Sequence, residues 1–161
     1  MSTDENQLSM IRAAMTAITS NTCVRFRERE GNEHAVLIQG TSRGCFSSVS
    51  YNKGKRQILN LGQNCFIHGK IVHEMLHTLG FYHMHSTHDR DNFVTIKKEN
   101  IKESKYYYTT NIVTDFGVTY DYGSVMHYSE YAFSKNGEKT IVPKEVKNNI
   151  LINTHVRVLR Y

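Results

Sequence analysis

Three histidines at fixed intervals constrain this chain more than any other feature. His73 and His77 stand four residues apart in the segment Phe66 to Leu79, where apolar Ile67, Ile71, Met75 and Leu79 also recur every four residues. That period predicts an amphipathic helix that stops at Gly80. Residues four apart project from one helical face, so both imidazoles emerge together. His83 follows three residues after Gly80. Glycine permits positive φ, so the chain can leave the helix sharply and swing His83 back towards the other two.

Such a trio suits zinc, which takes imidazole nitrogens at about 2.0–2.1 Å in a near-tetrahedral array. Three protein ligands leave the fourth position open, as catalytic sites require. Glu74 lies beside the first histidine and can reach water activated by the metal without occupying the metal. There it can act as general base, because zinc lowers the pKa of water towards about 7. With nine histidines and ten glycines in 161 residues, the five positions His73, Glu74, His77, Gly80 and His83 would match by chance with a probability of roughly 10⁻⁴. A buried helix with coincidental histidines is therefore a weak rival. Downstream, Ser124-Val125-Met126-His127-Tyr128 offers a thioether floor at Met126 and a phenol at Tyr128 for the metal or a developing oxyanion.

The rest of the chain gives a frame for this site. Gln7 to Ile18 repeats apolar residues at helical spacing, and Thr22 to Arg29 alternates as a half-buried strand should. His34 to Gln39 and Gln57 to Leu61 read as further strands, with a hairpin arm over Cys45 to Tyr51. After the histidine helix regularity fades: Asn100 to Tyr108 has helical character, Tyr120 to Tyr128 is turn-rich, Thr140 to Pro143 is strand-like, and a short helix closes the chain. Strands before the signature helix and irregular structure after it predict an α+β domain split by a cleft.

Composition removes several functions. The net charge of +5 is scattered, and its densest cluster, Arg25, Arg27 and Arg29, alternates with Glu28 and Glu30. That pattern is a solvated face, and no nucleic-acid motif accompanies it. No apolar run approaches the length of a membrane span. Residues Met1 to Gln7 are polar, so no signal peptide is predicted in this chain. Three cysteines, Cys23, Cys45 and Cys65, leave one thiol over in any intramolecular pairing, and alone they do not fix the compartment.

The run His73-Glu74-Met75-Leu76-His77-Thr78-Leu79-Gly80-Phe81-Tyr82-His83, followed by Asp89-Arg90-Asp91, resembles the astacin family of zinc metalloendopeptidases, a branch of the metzincins. So does Tyr120-Asp121-Tyr122-Gly123-Ser124-Val125-Met126-His127-Tyr128. The likeness extends outward through Thr22-Cys23-Val24-Arg25-Phe26, Leu59-Asn60-Leu61-Gly62, Ala132-Phe133-Ser134 and Thr140-Ile141-Val142-Pro143. It implies a two-lobed α+β fold, with sheet and active-site helix in an upper lobe and an irregular lower lobe. It implies one zinc ion per chain on His73, His77 and His83, with Tyr128 as an additional, displaceable ligand and Glu74 as catalytic base. The implied reaction is hydrolysis of internal peptide bonds in extracellular proteins or peptides, which places the chain among secreted proteins. The resemblance further pairs Cys45 with Cys65 and leaves Cys23 free, since its usual partner falls beyond Tyr161. Two chains could then join through Cys23.

By the same resemblance, residues 1–161 form a single catalytic domain lacking the family's first strand and its C-terminal end. Met84 and Thr87 stand where the family usually carries Glu and Arg. The alternative reading is a catalytically weak zinc-binding pseudoprotease or binding module. The intact Glu74 and Tyr128 favour the enzyme. His85 and His88 are expected to be exposed loop residues, His127 a positioning residue, Tyr106 to Tyr108 packing or cleft rim, and Asp89 and Asp91 partners of Arg90 or of backbone amides.

Overall fold

A computed structural model describes residues 4–102 and 117–144. The predicted chain-terminal helix, the tyrosines 106–108 and most of the helical stretch after Asn100 lie outside the described residues. Among those described, one compact unit ends at Phe81 and a second begins at Tyr82.

The first unit opens with helix α1, Glu5–Asn21. It starts earlier than its apolar period because Asp4 caps it, the carboxylate accepting from the Asn6 N–H at 3.2 Å. Ile11, Ala14 and Ile18 bury its inner face. The predicted strand at Thr22 to Arg29 does not form: the segment is extended, and Val24 and Phe26 are half-buried as the alternation demands, but it joins no described ladder. Alternation reports which side faces the core; a strand also needs a neighbour for its N–H and C=O groups. The arginines there are exposed as expected, with Arg27 paired to Glu33 at 2.8 Å.

Among the described residues three strands make the sheet: β1 Val36–Gln39, β2 Cys45–Ser47 and β3 Gln57–Leu61. β3 is central, parallel to β1 and antiparallel to β2. Leu59 and Leu61 are buried on it. Buried Asn60 ties down the β1–β2 loop, donating from Nδ2 to the carbonyls of Ser42 and Gly44 and accepting from the Ser42 N–H. Helix α2, His68–Thr78, packs on α1, β2 and β3. Ile71, Val72 and Met75 form its buried face. The Cys45–Cys65 disulfide joins β2 to the turn before α2. It closes a loop with a sequence separation of 20, which stabilises by about 3 kcal/mol on the loop-entropy model.

Gly80 ends α2 as the sequence predicts. Its N–H bonds the His77 carbonyl at 2.9 Å, and the Phe81 N–H bonds the Leu76 carbonyl at 3.0 Å. This paired closure needs a left-handed residue between, and Gly80 has φ +104. A Cβ there would meet Ser50 only at 3.8 Å, so the obstacle to a side chain is conformational and not steric crowding. Gly80→Ala is expected to cost about 1–2 kcal/mol, read as a lower urea midpoint with an unchanged slope.

The second unit holds a small antiparallel pair, β4 Val94–Ile96 and β5 Ile141–Pro143. Val94, Tyr120 and Ile141 form its buried centre, with Met84, Phe93, Ile96, Ile101, Tyr122 and Tyr128 packed against it. Turns and short 3₁₀ segments supply most of the remaining described residues, matching the expected loss of regularity.

Candidate metal centre and active site

His73 and His77 leave the same face of α2, their ring centroids 4.7 Å apart and perpendicular. One ring nitrogen from each of His73, His77 and His83 lies within 4.8 Å of the others. Nitrogens bound to zinc at about 2.0–2.1 Å in a tetrahedron sit about 3.3 Å apart, so the trio is of the right size and donor type for the ion. Among the described residues it is the one such group of three metal-capable side chains.

Hydrogen bonding and burial prepare His77 for this role. Its Nδ1 lies 2.7 Å from the Phe81 carbonyl. A carbonyl only accepts, so Nδ1 carries the proton and Nε2 keeps its lone pair, the arrangement that orients metal-binding imidazoles. Burial, with His73 beside it, lowers its pKa to about 4, so the ring is neutral at physiological pH. Metal therefore need not displace a proton from it.

Glu74 is buried, and its Oε2 has no hydrogen-bond partner among the described residues. Burial raises its pKa to about 7. A buried carboxylate oxygen left without a donor is costly in an ordinary core. One residue along α2 from His73, it is what a cation and its water would satisfy, and the three-histidine donor set fits zinc.

His83 caps a 3₁₀ turn, Met84–Ser86, with extended backbone. The Tyr128 ring lies 4.4 Å from that of His83. Tyr128 belongs to a tight turn built by Ser124, whose hydroxyl accepts from the Met126 N–H at 3.2 Å and whose carbonyl accepts from the His127 N–H at 3.0 Å. Val125 and Met126 are buried. The Met126 carbonyl accepts from the Met84 N–H at 2.9 Å, pinning this turn to the residue after His83. Met84 itself packs in the hydrophobic cluster, so an apolar contact stands where the family pattern has a carboxylate.

Two expectations about neighbouring residues need correction or extension. His85 is not an exposed loop residue: it is fully buried, stacked on His83 at 5.2 Å and lying 4.0 Å from the Tyr128 ring. The polar run around it hides this, because the burying partners are far off in sequence. His88 is exposed as expected, and Arg90 pairs with Asp91 at 3.2 Å. Buried Arg90 also donates to the His85 carbonyl at 3.1 Å. Tyr120, read only as part of a turn-rich block, is a buried partner of His127, hydroxyl to Nε2 at 2.6 Å. Burial lowers the pKa of His127 and raises that of Tyr120, so the imidazole stays neutral and the phenol protonated.

The family profile for Astacin, a peptidase family, matches residues 1–158. Over 141 residues the chain is 39% identical to zinc metalloproteinase nas-6 of Caenorhabditis elegans, an overlap covering 84% of this chain and 40% of that protein. It is 39% identical over 141 residues to low choriolytic enzyme of Oryzias latipes, covering 87% of this chain and 52% of that one. The chain thus spans about half or less of the length of these relatives. Its structure matches high choriolytic enzyme 1, a hatching-enzyme zinc protease from Oryzias latipes, with a TM-score of 0.83 at 34% identity, over 88% of this chain and 72% of the other. That match carries the α+β, metzincin-like fold expected from the sequence, and the disulfide between Cys45 and Cys65 is the pairing the resemblance implies. On a profile that spans nearly all of it and a close structural match, this chain belongs to the astacin family of zinc metallopeptidases.

Proposed function

We propose that this chain is a zinc-dependent endopeptidase that cleaves internal bonds of extracellular proteins or peptides. The observation that carries the reading is that ring nitrogens of His73, His77 and His83 lie within 4.8 Å of one another, while buried Glu74, next to His73 in the chain, has a carboxylate oxygen with no hydrogen-bond partner among the described residues. His73, His77 and His83 would hold one zinc ion. Zinc, when bound, supplies a Lewis acid that polarises a peptide carbonyl and acidifies water. Glu74 takes the proton from the attacking water and returns it to the leaving amine, a task suited to a carboxylate whose pKa burial has moved towards neutrality. The Tyr128 hydroxyl donates to the oxyanion forming at the scissile carbonyl.

The protein is expected to bind one zinc per chain and to cleave casein or gelatin. Plasma mass spectrometry on folded material checks the stoichiometry; no bound zinc sinks the site. One zinc without cleavage identifies a binding module instead.

Secretion fits the disulfide, which persists in oxidising compartments. No helix of the described residues is long and apolar enough to cross a membrane. Cys23 is free and exposed, and we assign it as a point of covalent dimerisation. Oxidised protein is expected to give a dimer on non-reducing electrophoresis that Cys23→Ser abolishes. A dimer that survives the substitution rules this out.

A further inference from the structure

The main chain of Tyr128 is held on both sides by imidazole nitrogens. Its N–H donates to Nδ1 of fully buried His85 at 3.3 Å. Its carbonyl lies 2.6 Å from Nδ1 of buried His127. The carbonyl can only accept, so His127 carries its proton on Nδ1, and in the neutral ring Nε2 becomes an acceptor. The Tyr120 hydroxyl, 2.6 Å away, is the donor to it. Tyr120 is in turn fixed by stacking on Phe93 at 4.7 Å with planes 11° apart. A chain of contacts therefore runs from Phe93 through Tyr120 and His127 to the Tyr128 carbonyl, while His85 secures the N–H side and lies against the Tyr128 ring.

We propose that His85, His127 and Tyr120 are positioning residues that clamp the Tyr128 peptide and so aim its phenol. The inference rests on the assignment of Tyr128 as oxyanion donor and adds what holds it in place. A phenol that donates only in the transition state gains from having its backbone fixed beforehand, since displacement of a donor by a fraction of an ångström weakens the bond it must make. Neither histidine need touch substrate or metal for this.

The test is a double-substitution cycle on the zinc-loaded full chain. Tyr120→Phe keeps the ring stacked on Phe93 and deletes only the hydroxyl. It is expected to lower kcat about two- to tenfold, the worth of one ordinary hydrogen bond, with KM unchanged. In a Tyr128→Phe background the same substitution is expected to cost nothing further, because the hydroxyl being aimed is gone. His85→Leu should behave likewise, and His85→Asn, whose amide oxygen can accept from the Tyr128 N–H, should recover most of the loss. Long-range ¹H–¹⁵N spectra should show His127 as the Nδ1–H tautomer, with Nε2 shifted by Tyr120→Phe; this readout does not depend on turnover and survives a misfolded His85 variant. Full additivity in the Tyr128→Phe background, or an Nε2–H tautomer, overturns the clamp while leaving the Tyr128 assignment intact. An unchanged kcat in Tyr128→Phe alone overturns that assignment and the clamp's purpose with it.

Discussion

Glu74→Gln is expected to slow peptide hydrolysis by about 10²- to 10⁴-fold, the usual contribution of a positioned general base, while one zinc ion per chain stays bound. The amide matches the carboxyl in size and sits in the same buried position on α2, but it cannot accept the proton from water. Burial gives a second, independent signature. In zinc-free protein the Glu74 pKa is raised from 4.5 to about 7, so the folded state holds a proton that the unfolded state releases. The stability linked to that proton is present below about pH 4.5 and is lost as pH rises through about 7. Glu74→Gln removes this dependence, so zinc-free variant should gain on wild type across that window. His77 runs the other way: with its pKa lowered from 6.5 to about 4, its cost is felt in acid and relieved as pH rises towards 6.5. The comparison must therefore be made between variant and wild type at each pH, where the His77 contribution cancels. Loss of zinc in stoichiometric proportion would make Glu74 a ligand and not the base; normal turnover would remove it from the mechanism.

The features legible in the sequence were those written in local spacing. Four-residue steps fixed α2 and both of its histidines, and the glycine after it announced the left-handed exit seen at Gly80. Short β-rich runs gave β1, β3 and β5 to within a few residues. What escaped depends on partners distant in the chain. Thr22 to Arg29 carries the alternation of a strand, yet pairing is a property of two segments, and it joins no ladder among the described residues. β4 is formed by its pairing with β5, from Val94 opposite Pro143 to Ile96 opposite Ile141, a partner more than forty residues on. His85 sits in a polar stretch and is buried by contacts such as that with Tyr128, 43 residues on. Tyr120 and His127 form a pair only because the turn at Ser124 folds one back upon the other. The residues that carry the proposed chemistry were thus readable, and His127 was read as a positioning residue, whereas His85 and Tyr120, which join it around Tyr128, were not.

Tyr128→Phe separates a transition-state role from a structural one. The substitution keeps the ring, which packs 4.4 Å from His83 and 5.5 Å from Phe133, and it leaves the main-chain bonds to His85 and His127 untouched. Only the hydroxyl is lost, so the fold should be kept and any loss of stability should stay within the worth of one hydrogen bond, about 0.5–1.5 kcal/mol. If that hydroxyl donates to the oxyanion, its removal should lower kcat by about 10²–10³, as for one donor in comparable sites. KM should change little, because the interaction is absent from the ground state and kcat and kcat/KM fall together. A ligand role predicts a different pattern: zinc affinity measured against a competing chelator would shift, with kcat restored at saturating metal. Steady-state kinetics and the chelator titration on the same preparation therefore decide between them, and a kcat within about twofold of wild type at full zinc occupancy would exclude Tyr128 from the chemistry.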